Sequence, residues 1–140
     1  EAFDFGYEVS SFAMAQSNMG AIVTFSGVVR NLVGVKLSYI NIEHYPGMAE
    51  KAISKIVDDA ANRWSLGDVL VIHRYGCLVP GELIMMVATA SKHRKNAFEA
   101  AEYVMDYLKS RAPFWKKEVT GHSQDWVTSK PEDETKLKKW

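Results

Sequence analysis

The residues best suited to chemistry in this chain are cations placed where elements begin and end. His93, Arg94 and Lys95 stand between an apolar run and the amphipathic stretch that follows it. Lys109 lies near that stretch's end, Lys116 and Lys117 come just past Pro113, and Arg30 closes an earlier apolar run. Cations in a helix's last turn complement its dipole, whereas cations at its start oppose it. Helix stability therefore does not account for His93, Arg94 and Lys95, which ask for an anionic partner. A helix start supplies backbone N–H donors, and an arginine adds a planar fork suited to phosphate. Lysines held close together lower one another's pKa, and a neutral amine serves as base or nucleophile. Lys109 and Lys116 can converge in this way across the Pro113 break. A plainer reading stands beside each: a solvated basic turn for His93-Arg94, a dipole-complementing lysine for Lys109, a surface charge for Arg30. The residues alone leave these alternatives open.

The elements that must position these cations are legible in outline. Gly20 to Val29 (GAIVTFSGVV) is rich in β-branched residues and predicts a strand, with Gly27 marking a bulge or a close backbone approach. Leu32 to Lys36 reads as a loop, and Leu37 to His44 (LSYINIEH) alternates as a second strand, the expected hairpin partner of the first. Pro46-Gly47 opens a helix with a stripe of Ala49, Ala52, Ile53, Ile56, Val57 and Ala60, ending near Trp64. Asp68 to Tyr75 predicts a third strand and Glu82 to Ala90 a fourth, with a turn bracketed by Gly76 and Pro80-Gly81. The second main helix runs from about Lys95 to Arg111, with Ala97, Phe98, Ala101, Val104, Met105 and Leu108 facing a core. Pro113 forbids its smooth continuation. Pro113-Phe114-Trp115 reads as a hydrophobic clamp after it, and the polar tail holds a short strand around Trp126 and a helical or frayed end near Trp140. The order predicts an α+β fold, two-layered, with a mainly antiparallel sheet and two main helices. Residues 1–140 read as a single domain without repeats or linkers.

Composition narrows the function classes. The chain has 140 residues, 47% hydrophobic and 24% charged, with 17 basic against 17 acidic side chains. That is globular composition, and a balanced charge means that any anion site must come from local clustering. No nucleic-acid partner is expected, because a basic field and a stacking-aromatic motif are both missing. The single cysteine, Cys77, excludes an intrachain disulfide and a multi-cysteine zinc site. It has no neighbour that would activate it. His44 and His73 lack matching ligand spacing and read as structural, so no metal and no cofactor are expected. No run is long enough to span a membrane and no signal-peptide pattern opens the chain, which makes the cytoplasm the expected compartment.

Five segments in order, GAIVTFSGVVRN, IEHYPGMAEKA, VIHRYGCLVPGE, SKHRKNAFEA and MDYLKSRAPFWKKE, carry a specific resemblance over roughly Gly20 to Trp140. The chain resembles the large, catalytic subunit of molybdopterin synthase. The resemblance implies an α/β hammerhead fold with a small added β subdomain. It also implies a central homodimer of large subunits and a small ubiquitin-like sulfur carrier at each end, a heterotetramer overall. The activity implied is sulfur transfer from the carrier's C-terminal thiocarboxylate to cyclic pyranopterin monophosphate (precursor Z), which builds the dithiolene of molybdopterin in two rounds. Sulfur that arrives already activated needs no cysteine nucleophile, which suits a chain whose one cysteine is unremarkable. By resemblance Lys109 and Lys116 are the catalytic lysines. Arg30, His93, Arg94, Lys117, Val28, Val29 and Glu118 are substrate-binding residues, with His93 and Arg94 donated across the dimer interface. The Leu32–Lys36 loop is short for such a subunit, and Lys130 stands where some relatives carry Arg, keeping the charge but losing the bidentate fork. Two other classes compete: a non-catalytic module that captures a ubiquitin-like tail, and a nucleotide- or RNA-binding domain.

Overall fold

The computed structural model describes residues 2–31, 37–112, 114–121, 124–127 and 131–140. The Leu32–Lys36 loop, Pro113 and Lys130, singled out above, lie outside these residues. Eleven elements follow in chain order: α1 (Phe5–Met14), β1 (Ala21–Val28), β2 (Leu37–His44), α2 (Met48–Trp64), β3 (Asp68–His73), β4 (Gly76–Leu78), β5 (Leu83–Ser91), α3 (Arg94–Arg111), β6 (Phe114–Thr120), β7 (Gln124–Val127) and α4 (Pro131–Leu137). The architecture is α+β with antiparallel sheets, as the sequence predicts.

Two sheets share the strands: β1-β5-β3 and β4-β2-β6-β7. The expected β1–β2 hairpin is corrected here. β1 pairs with β5, from Ala21 opposite Ser91 to Val28 opposite Leu83, while β2 pairs with β4 and β6 in the other sheet. Alternation selects the face each residue presents but not the partner strand, and the partner is set by what each strand can cover. The register shifts between Gly27 and Val28, which favours the bulge among the two readings of Gly27. β3 stops at His73, two residues earlier than expected, and Gly76, at φ 96°, opens the separate strand β4 instead of a turn.

β5 is the central strand, buried on both faces. Met85 and Val87 pack in a core with Ile56, Ala60, Tyr103, Val104 and Leu108 of α2 and α3. Met86, Ala88 and Ala90 point the opposite way, against Phe12 of α1. That second face makes α1 necessary, and its start is fixed by Asp4, whose carboxylate accepts the Tyr7 N–H at 3.0 Å. α2 begins at Gly47, where φ is 83°, and the Glu50 carboxylate accepts the Gly47 N–H. α3 follows the predicted stripe with one exception. Phe98 is 61% exposed because Ala97, Ala100, Ala101 and Val104 take the inward positions.

Candidate active site

α3 runs back along β5, and this sets where the cations stand. The buried Thr89 hydroxyl donates to the Ala97 carbonyl at 2.8 Å, locking the helix start to the strand end. Arg94 opens α3 and His93 caps it without a side-chain hydrogen bond. Fifteen residues on, at 1.5 Å per residue, Lys109 lies ~22 Å away at the other end. The structure therefore separates His93 and Arg94 from the lysines within one chain. Val28, Val29 and Arg30 fall at the lysine end, since Val28 pairs with Leu83 at the start of β5. Val29 is buried and tied by its N–H to the Glu82 carbonyl at 2.9 Å, while Val28 and Arg30 are exposed.

Lys109 and Lys116 do converge. Both line a cavity of about 140 Å³ with His73, Met85, Phe114 and Asp133. β6 is what brings Lys116 there. The strand resumes at Phe114, pairs Lys116 with Ile42 of β2 and with Val127 of β7, and turns alternate residues to one face. Lys116 and Glu118 share that face. Lys117 takes the other, with its ammonium 5.4 Å from the centroid of the Trp126 ring. Lys117 is thus placed apart from the lysine cavity. The predicted clamp is half realised: the Phe114 ring stacks on His73 with centroids 3.8 Å apart, but Trp115 is an exposed partner of Tyr45.

Burial is the main influence on Lys116, pushing its pKa below the ordinary lysine range, and the Lys109 charge adds to this. Asp133 and Glu118 act in the opposite direction. His73 on the same wall is driven down to about 4, chiefly by burial. Its Nδ1 lies 2.8 Å from the Arg74 carbonyl, an acceptor only, so Nδ1 carries the proton of a neutral ring. The arrangement presents one exposed lysine, one half-buried lysine whose charge is disfavoured by burial, and a neutral imidazole. A second cavity of about 520 Å³ opens on the far side of Lys109, lined by Val23, Phe25, Phe98, Ala101 and Met105. Its volume is that of a small-molecule site, whereas the first admits only a narrow group or chain end. Met105, Lys109 and Asp133 border both. Among the described residues no three His, Cys, Asp or Glu side chains are gathered as a metal site, and no helix is long and apolar enough to cross a membrane.

His73 and Asp133 are site residues that the sequence reading missed. An inward histidine on a hydrophobic strand carries a weak signal. Asp133 carries none, because only the fold returns the C-terminal helix to α3.

Comparison with known proteins is consistent across sequence and structure. Residues 1–111 match the model of the MoaE protein family. A molybdopterin synthase catalytic subunit from Cereibacter sphaeroides is 59% identical over 140 residues, all of this chain and 95% of the relative. The subunit of that name from Escherichia coli K12 is 52% identical over 122 residues, 86% of this chain and 81% of the relative. The solved molybdopterin biosynthesis MoaE protein from Burkholderia ambifaria superposes with a TM-score of 0.84 at 44% identity, covering 100% of this chain and 93% of that one. Molybdopterin synthase from Staphylococcus aureus superposes at 0.77 with 35% identity, covering 80% and 82%.

Proposed function

The chain belongs to the MoaE protein family, the catalytic subunits of molybdopterin synthase, and from that premise we propose how its own residues carry the reaction. The enzyme is a sulfurtransferase of molybdopterin biosynthesis. Its partner is a small ubiquitin-like carrier whose C-terminal thiocarboxylate supplies sulfur, and its substrate is cyclic pyranopterin monophosphate. The observation that carries the reading is Lys109 standing where two cavities meet, with the half-buried Lys116 lining the narrower one beside it. A two-substrate transfer needs such a junction: a narrow channel for an extended tail and a wider space for a fused-ring ligand.

The thiocarboxylate sulfur adds to a substrate carbon, and the oxygen substituent at that carbon leaves. Water then cleaves the acyl C–S bond of the resulting thioester, so the sulfur stays on the substrate and the carrier departs as a carboxylate. Lys109 acts as general acid and base at the carbons being sulfurated, protonating the departing oxygen. Lys116, as an ammonium, orients the substrate and stabilises developing negative charge in a water-poor setting. Arg30, with Val28 and Val29 leading into it, holds the phosphate from the lysine end of the sheet, and Glu118 sits beside Lys116. His93 and Arg94, ~22 Å from Lys109 along α3, reach a site only in a second copy of the chain, as a homodimer with a composite site requires. Lys117 serves that assembly from the other face of β6. The cytoplasm is the compartment where carrier and substrate meet.

Reconstitution tests the reading. Mixing the chain with a thiocarboxylated carrier and cyclic pyranopterin monophosphate yields molybdopterin, and Lys109→Ala lowers the rate by on the order of a hundredfold or more. Carrier binding that survives in the wild type without any product would instead mark a non-catalytic adaptor.

A further inference from the structure

Asp133 is, among the described residues, the one charged side chain that is buried, at 6% exposure. It borders both cavities, in a site otherwise equipped to attract anions. Burying a carboxylate is costly unless nearby charge offsets it, and a carboxylate there opposes anionic ligands. α4 nonetheless holds it firmly in place. Arg111 donates to Glu134 at 2.7 Å, and Lys139 pairs with Glu102 at 2.9 Å. The Trp140 indole N–H donates to Asp106 at 2.7 Å, while the Trp140 carbonyl accepts from Arg63 at 3.0 Å. The Trp140 ring meets Trp64 and Tyr103 edge-on.

We propose that Asp133 is a positioning residue of the lysine site, its carboxylate keeping the Lys116 amine charged and aimed into the cavity until the anionic ligands arrive. This rests on the role given to Lys116 above. The charged and titratable groups around Lys116 come from four elements. Lys109 of α3 disfavours its charge; Asp133 of α4 and Glu118 of β6 favour it; His73 of β3 is neutral. Glu118 shares the strand with Lys116 and moves with it, whereas Asp133 is delivered by a separate helix. An incoming thiocarboxylate and phosphate then replace Asp133 as counterions, and the amine stays an ammonium through the transfer.

Trace acylation of the full chain with acetic anhydride across pH, read by peptide mass spectrometry, follows each lysine separately. Removing a neighbouring negative charge favours the neutral amine. In Asp133→Asn, Lys116 therefore acylates roughly threefold to tenfold faster at a pH below its titration midpoint. Lys117, on the other face of β6, keeps its wild-type rate, and Glu132→Gln on the same helix changes neither. A Lys116 profile in Asp133→Asn that overlays the wild type overturns the proposal. If loss of the carboxylate loosens α4, the charge-conserving variant decides. Asp133→Glu keeps a carboxylate on the same helix, and Lys116 then acylates at the wild-type rate; acceleration as large as in Asp133→Asn overturns the proposal. In the reconstituted enzyme the alkaline limb of kcat shifts to lower pH in Asp133→Asn, and an unshifted limb sinks the positioning role. The functional reading fails separately, through a wild-type chain that makes no product while its labelling still depends on Asp133.

Discussion

His73 and Lys116 share one cavity wall, and burial pushes both toward neutrality, yet the consequences differ. For His73 the folded-state value of about 4 lies below the ordinary 6.5. On acidification the unfolded chain binds that proton first, so the contribution of His73 to stability is complete above about pH 6.5 and is lost as the pH falls toward 4. The loss is on the order of 3 kcal/mol at most. His73→Phe preserves a ring against Phe114 and removes the titration. Its melting temperature should fall less steeply than that of the wild type between pH 6.5 and 4.5, and parallel curves would refute the account. For Lys116 the proposed consequence is catalytic. Lys116→Gln removes the ammonium while keeping a polar side chain, and kcat should drop on the order of a hundredfold with carrier binding retained. The lysine pair was legible because a helix end, a proline and a lysine shortly beyond it bring two amines together by local geometry. His73 was not, since its role arises from what packs on it.

Elements decide how firmly those residues are held. Gly20 precedes β1 beside the turn that launches α3, and a Cβ there would lie 2.6 Å from the Lys92 carbonyl oxygen, a backbone atom that cannot swing aside. Gly20→Ala must push the β5–α3 turn outward. We expect a loss of about 1–3 kcal/mol in denaturant unfolding, and an unchanged midpoint would show that the turn yields freely. At the other end, Trp140 is the largest fastening of α4, and Trp140→Ala should speed amide exchange throughout Pro131–Leu137 while leaving β5 protected. Arg111→Ala removes only an exposed ion pair and should have a much smaller, salt-sensitive effect. The main helices and most strands were readable from periodicity, and β2 and the end of α2 fall where the pattern placed them. Strand pairing was not readable. β2 recruits β6 from seventy or more residues away along the chain, and that choice puts Lys116 opposite Ile42 and into the cavity. α1 escaped notice because its job, covering the second face of β5, exists only once the sheet is formed.

At the scale of the molecule, one chain carries two groups of cations at opposite ends of α3. Lys109, Lys116 and Arg30 lie at one end and His93 and Arg94 at the other, ~22 Å apart by helix rise. No side chain spans that distance, so either His93 and Arg94 serve some purpose unconnected with the lysines or a second copy supplies them. The first possibility leaves cations opposing the helix dipole without a partner. The second gives each copy of a symmetric pair one lysine end and one basic end to contribute, as a two-fold interface does. Mixing inactive variants distinguishes them. Lys109→Ala and Arg94→Ala each cripple turnover alone. After the two are unfolded and refolded together, random pairing makes half of the dimers mixed, and each mixed dimer regains one site in which both residues are intact. Activity should return to about a quarter of the wild-type value. If both residues served the same site within one chain, every site in the mixture would carry a defect and no activity would return. Recovery therefore depends on the length of α3, which makes the separation of its two ends a property of the enzyme and not of the subunit.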